Sequence, residues 1–126
     1  MAACLHFRLQ SGLYAVPLSR VYRVAAFAAL TGQPDEYFAG WLRCHDRVVP
    51  VFDLNRVVCE VSTPEEFGSR IILVEVSPVG GMSYMGLLAP AVTVATDLQS
   101  SGATLMDLDL YLQMLANFIP PLPERA

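Results

Sequence analysis

Residues 40–54 read GWLRCHDRVVPVFDL. The runs Trp41-Leu42 and Val48-Val49-Pro50-Val51-Phe52 flank the polar pair His45-Asp46. β-branched and aromatic residues on both sides of a short polar break predict a hairpin with a tight turn. Asp tolerates positive φ better than most residues, so Asp46 suits that turn. Pro50 has no backbone N–H, which places it at a sheet edge or a bulge. Asp53 closes the second strand, and its carboxylate can cap a short helical turn through Leu54, Val57 and Val58.

Upstream, Leu5, Phe7 and Leu9 alternate with His6, Arg8 and Gln10, the two-residue period of a strand. Ser11-Gly12 supplies a turn, and Leu13–Leu18 runs back with Tyr14 and Val16 on one face, completing a hairpin. Val21 and Val24, around Tyr22 and Arg23, predict a further strand. Ala25–Leu30 fits either a strand end or a helical turn, and residues 31–35 form a loop.

Downstream, Glu60–Ser69 is polar and reads as a loop or a single turn. Ile71-Ile72-Leu73-Val74 fits a strand buried on both faces. Ser77–Ser83 reads as a turn, and Tyr84–Leu88 and Val92–Ala95 as strand pieces broken by Pro90. The uncharged stretch Val76–Thr96 is long enough to span a bilayer. Pro78, Gly80, Gly81, Gly86 and Pro90 divide it, so no direct membrane insertion is expected. The period then changes: Leu108, Leu112 and Leu115 stand at i, i+4 and i+7 with Tyr111 beside them, one face of an amphipathic helix. Asp107 or Asp109 sits near its positive end, and Pro120-Pro121 ends it. Many short strands with one C-terminal helix predict a mainly β, barrel or sandwich architecture.

The 126 residues fit a single domain, spanning 1–126. The chain is 54% hydrophobic and only 16% charged, against a usual charged share of about 25%. Some apolar surface should therefore remain exposed for binding. There is no lysine, and the net charge is −4. Scattered arginines on an acidic chain are a poor match for nucleic acid, which needs a concentrated basic face. They suit protein interfaces. Cys4, Cys44 and Cys59 have neither disulfide nor zinc spacing, so no metal or cofactor is expected. A reducing cytoplasm is the natural compartment.

The Gly40–Leu54 string resembles the signature hairpin of the CheW-like adaptor domains of bacterial chemosensory signalling. Gly40, Pro50, Asp53 and Leu54 match the family pattern at its spacing. The opening FRLQSGLYAVPL, the segment Arg20–Val24, and the strands Arg70–Val76 and Tyr84–Leu88 with Val92 are similar to the family's other elements. The resemblance covers roughly residues 5–98. It implies two small SH3-like β-barrels, the second incomplete, because only Gln99–Leu105 separates the last matched strand from the helix. It also implies a non-catalytic adaptor that couples a chemoreceptor's cytoplasmic tip to a histidine kinase's regulatory domain.

The resemblance places Val21, Val24 and His45 at receptor-facing positions, with Asp46 at the turn beside them, and Arg23, Arg43 and Arg47 are candidates for a partner-facing group around these. The family's Asn-Leu-Arg-Gly is replaced by Arg43-Cys44-His45-Asp46, its usual glutamate by Arg23, and a usual aspartate by Pro90. A changed receptor-facing charge pattern fits a specialised array as well as one for swimming. An unpaired strand edge invites a homodimer. The helix face Leu108, Tyr111, Leu112 and Leu115 is either core or a dimer or docking surface.

Plainer readings stand beside these. His45 and the three arginines could be solvated surface. Phe38 reads as core, and Trp41 as either core or hot spot. A different class of function is a small β-barrel enzyme or ligand-binding protein using the Tyr37–His45 region. Cys44 and His45 are a poor catalytic pair, because neighbours on a strand point to opposite faces. A third reading is a structural homodimer without kinase coupling.

Overall fold

A computed structural model describes residues 3–27, 29–44, 47–64, 68–79, 82–95 and 102–121. The elements are β1 (Cys4–Leu9), β2 (Gly12–Pro17), a 3-10 turn (Leu18–Arg20), β3 (Val21–Ala26), β4 (Phe38–Cys44) and β5 (Arg47–Asp53). There follow α1 (Leu54–Cys59), β6 (Arg70–Val79), β7 (Met82–Ala89), β8 (Thr93–Ala95), β9 (Thr104–Leu105) and a C-terminal helix, α2 (Leu108–Ala116). The strands form two sheets, ordered β8-β1-β2-β9 and β3-β6-β7-β5-β4. The fold is mainly β, and neither sheet forms a closed barrel among the described residues.

Both predicted hairpins are present. In the first, Leu9 pairs with Gly12 across Gln10-Ser11. In the second, Cys44 pairs with Arg47. Gly40 stands at an irregularity of β4 with φ +145°. A Cβ there would lie 2.6 Å from Leu30 Cβ, so only glycine lets the chain before β4 pack so closely. Trp41 exchanges both backbone hydrogen bonds with Thr31, at 2.8 and 3.0 Å. Its partner Pro50 therefore turns its nitrogen away from β4. That corrects the edge-strand expectation: β5 is interior, between β4 and β7. The parallel β5–β7 ladder begins only at Val51, so the donor that Pro50 lacks is not called upon.

β6 divides the interior. Ile72 and Val74 face the main core, with Leu5, Phe7, Leu9 and Val16 of the first sheet. Ile71 and Leu73 face a second core, with Leu42, Val49, Val51 and Leu88. Burial on both faces explains the uninterrupted apolar run, here between two antiparallel neighbours, β3 and β7. The β6–β7 hairpin is longer than the sequence predicts. Its strands continue to Val79 and from Met82 through an irregular stretch, where a turn was expected over Ser77–Ser83. Tertiary pairing overrides the local turn propensity there.

The C-terminal segment supplies one short strand and a helix. β9 adds in parallel to β2. Helix α2 is capped by Asp107, whose carboxylate accepts the Leu110 N–H at 3.3 Å, and it ends at Ala116, well before Pro120. Leu108, Leu112 and Leu115 are buried in the main core and Tyr111 packs against it. Each fully buried leucine contributes about 1.5–3 kcal/mol. These residues are therefore core: the dimer or docking surface expected of this face is closed by the chain's own packing. No helix among the described residues is long and apolar enough to cross a membrane.

Candidate functional site

The exposed part of the second sheet runs from β3 across Tyr84 of β7 to Arg47, at the turn end of the β4–β5 hairpin. No residue of β3 is buried. Val21 is half-buried against the main core, whereas Val24 is 39% exposed and Arg23 projects outward. Between them Tyr22, 56% exposed, stands at a bulge where the β3–β6 register shifts. Its ring lies 4.6 Å from the Tyr84 ring on β7. The Arg47 guanidinium, at the start of β5, sits 5.1 Å from the centroid of Tyr84.

This Tyr22–Tyr84–Arg47 ladder links three strands and brings Tyr22, with Arg23 beside it, onto one patch with Arg47. Tyr84 leans on the second core, so the ladder also covers one end of that core. A guanidinium over an exposed aromatic face contributes about 0.5–1 kcal/mol. Sequence reasoning missed Tyr22 and Tyr84 as site residues. Tyr84 lies in an apolar strand, and only its placement beside β3 gives it a role.

Arg43 is exposed but does not join the ladder. It pairs with Val48, one step from the Cys44–Arg47 pair, so Arg43 and Arg47 leave the hairpin from opposite faces. His45 and Asp46, at the tip, lie outside the described residues, as does the side chain of Cys44. Phe38 and Trp41 are each 3% exposed, with rings 5.3 Å apart edge to face. They belong to the core, which answers the open question about Trp41.

A recess of about 310 Å³ opens at the other end of the second core, lined by Phe27, Leu30, Ala39, Asp53, Arg56 and Leu88. Asp53 is structural there. One carboxylate oxygen accepts from Asn55 N at 3.0 Å and Thr63 Oγ1 at 2.6 Å, the other from Thr63 N at 2.7 Å. It thereby caps α1 and ties down the following loop. Among the described residues no three His, Cys, Asp or Glu side chains gather as a metal site.

One ion pair is itself exposed. Arg20 donates to Asp109 at 2.8 Å. That hydrogen bond, aided by the arginine's charge, holds the Asp109 carboxyl below its ordinary range.

Comparison with known proteins agrees with this architecture. A search of curated proteins returns no match. The crystal structure of the scaffolding protein TtCheW from Thermoanaerobacter tengcongensis is similar, with a TM-score of 0.65 and 26% sequence identity. The match covers 79% of this chain and 64% of that one, so the chain spans less than two thirds of the scaffolding protein's length. The CheW-like domain matches residues 3–107, which include both sheets and the ladder, and the chain belongs to the CheW-like domain family.

Proposed function

We propose that this protein is a non-catalytic, cytoplasmic adaptor that couples a chemoreceptor's cytoplasmic tip to the regulatory domain of a histidine kinase. Its partner-facing surface centres on Arg23 and Arg47, with Tyr22 and Tyr84 between them. Val21 anchors β3 from beneath, and Val24 and Arg43, on the other face of the sheet, with His45 and Asp46, are further candidate contacts. The ladder is the observation that carries this reading. Aromatic and arginine side chains dominate binding energy at protein interfaces, and here they are gathered on an exposed patch of an otherwise covered sheet. Family membership and the scaffolding role named for TtCheW support it. Arg23 and His45 change the charge pattern usual in the family, which suits an array dedicated to another pathway as well as one for swimming.

Calorimetric titration against a kinase regulatory domain and a receptor-tip fragment from the same cell tests the proposal. Saturable binding is expected to at least one of them. A Val24→Asp, Arg47→Ala double variant should weaken it about fivefold or more, the loss expected of an interface hot spot. Absence of binding to both partners by the folded wild type would overturn the adaptor reading.

A further inference from the structure

The second core is covered at one end by the Tyr22–Tyr84–Arg47 ladder and open at the other. The recess at the open end encloses about 310 Å³, at the small end of the roughly 300–1,000 Å³ usual for ligand sites. Its walls are Phe27 and Leu30 from the segment after β3, Ala39 of β4 and Leu88 of β7. All four pack on the second core, so the recess is a gap in that core's apolar lining. A branched aliphatic chain is the kind of group such a gap accepts.

The polar groups at its mouth are unevenly matched. Arg56 of α1 is half-buried there, and Ser62 is exposed beside it. Neither side chain has a hydrogen-bond or ion-pair partner among the described residues. A guanidinium carries five N–H donors and no acceptor, and burying part of one without a partner is costly. Asp53 lines the same recess without pairing with Arg56. Its carboxylate is buried and already accepts from Asn55 and Thr63.

The mouth therefore offers donors, and the acid beside it is committed elsewhere. An amine would meet Arg56 as a like charge. A doubly charged anion would be opposed by the charge that Asp53 retains. A single carboxylate matches the guanidinium fork.

We infer that this recess binds a small free monocarboxylic acid with an apolar tail, the carboxylate on Arg56 and Ser62 and the tail against Phe27, Leu30, Ala39 and Leu88. The site lies at the far end of the second core from the ladder, so the inference stands or falls separately from the adaptor reading.

The probe is isocaproate, titrated into the isotope-labelled whole protein at neutral pH and followed by amide shifts. It should shift amides around Phe27, Leu30, Ala39 and Arg56 saturably. Isocaproamide and isoamylamine lack the negative charge, and acetate and inorganic phosphate lack the tail. Each should bind about tenfold more weakly or worse, the loss of a hydrogen bond to a charged group or of several buried methylenes. Arg56→Gln should weaken isocaproate about tenfold with the urea midpoint unchanged. Arg56→Lys keeps the charge without the fork and should fall between. Ala39→Leu should fill the recess and abolish binding.

No saturable shift with isocaproate, shifts centred on Tyr84, equal binding of the amide, the amine or acetate, or full binding by folded Arg56→Gln would overturn the inference. Should Ala39→Leu fail to fold, the two Arg56 variants still decide.

Discussion

The Arg47 guanidinium lies 5.1 Å from the centre of the Tyr84 ring, joining the start of β5 to the middle of β7. Arg47 is exposed and Tyr84 half-buried, so the contribution of the contact to folding is small and its value lies in presentation. Arg47→Ala should lower stability by no more than about 1 kcal/mol, while Tyr84→Phe keeps the ring face and should match wild type in partner binding. Urea melts and calorimetry on the two variants separate these effects. A large loss of stability with Arg47→Ala would show that the ladder is structural first.

Gly40 is held at φ +145°, with Leu30 in the space a side chain would occupy. Gly40→Ala combines backbone strain with a backbone-side clash. A loss of about 1–3 kcal/mol is expected for the conformation alone, read as a lower urea midpoint. An unchanged midpoint would mean that the segment before β4 can move aside.

Asp53 accepts three hydrogen bonds from two residues across a ten-residue span. Asp53→Ala removes the α1 cap and orphans the Thr63 amide. A cost of about 2–4 kcal/mol follows, since hydrogen bonds to charged groups contribute about 1.5–3 kcal/mol and a cap about 1 kcal/mol. Thr63→Val should cost less, because the Thr63 amide keeps its partner. Equal costs for the two variants would contradict this division.

Leu115 is fully buried, whereas Leu110 on the same helix is 60% exposed. Leu115→Ala should destabilise by about 2–5 kcal/mol, and Leu110→Ala by about 0.5 kcal/mol or less. Thermal melts of both variants check that the helix seals the interior. Similar small effects would return α2 to the status of a surface appendage.

Asp109 has its carboxyl depressed by Arg20. A depressed carboxyl stabilises the fold above its unfolded-state value and loses that contribution as pH falls through the folded value. The Arg20–Asp109 coupling in a double-mutant cycle should therefore vanish as pH drops below about 4, and should weaken with added salt at neutral pH. Coupling that persists in acid would point to packing by the side-chain stems.

Elements whose determinants are local were legible in the sequence. Leu5, Phe7 and Leu9 announce β1, the GWLRCHDRVVPVFDL string announces its hairpin, and Asp53 announces the α1 cap. Ile71–Val74 announced burial on both faces, though not which cores it would divide. The turn read over Ser77–Ser83 was drawn too wide, because pairing of β6 with β7 carries the strands to Val79 and on from Met82. The site was half legible. Arg47 was identified as one of three candidate arginines and Val24 by resemblance, but the tyrosines that connect β3 to Arg47 depend on the order β3-β6-β7-β5, which no local spacing encodes. Arg43 looked equivalent to Arg47 until the register put them on opposite faces.

Because β6 is the shared wall of both cores, the two cannot come apart separately. Loss of either side exposes Ile71 and Leu73 or Ile72 and Val74 to water, and removes the strand on which the other side is built. Melting should therefore be a single all-or-none event, with β6 amides exchanging only through global opening.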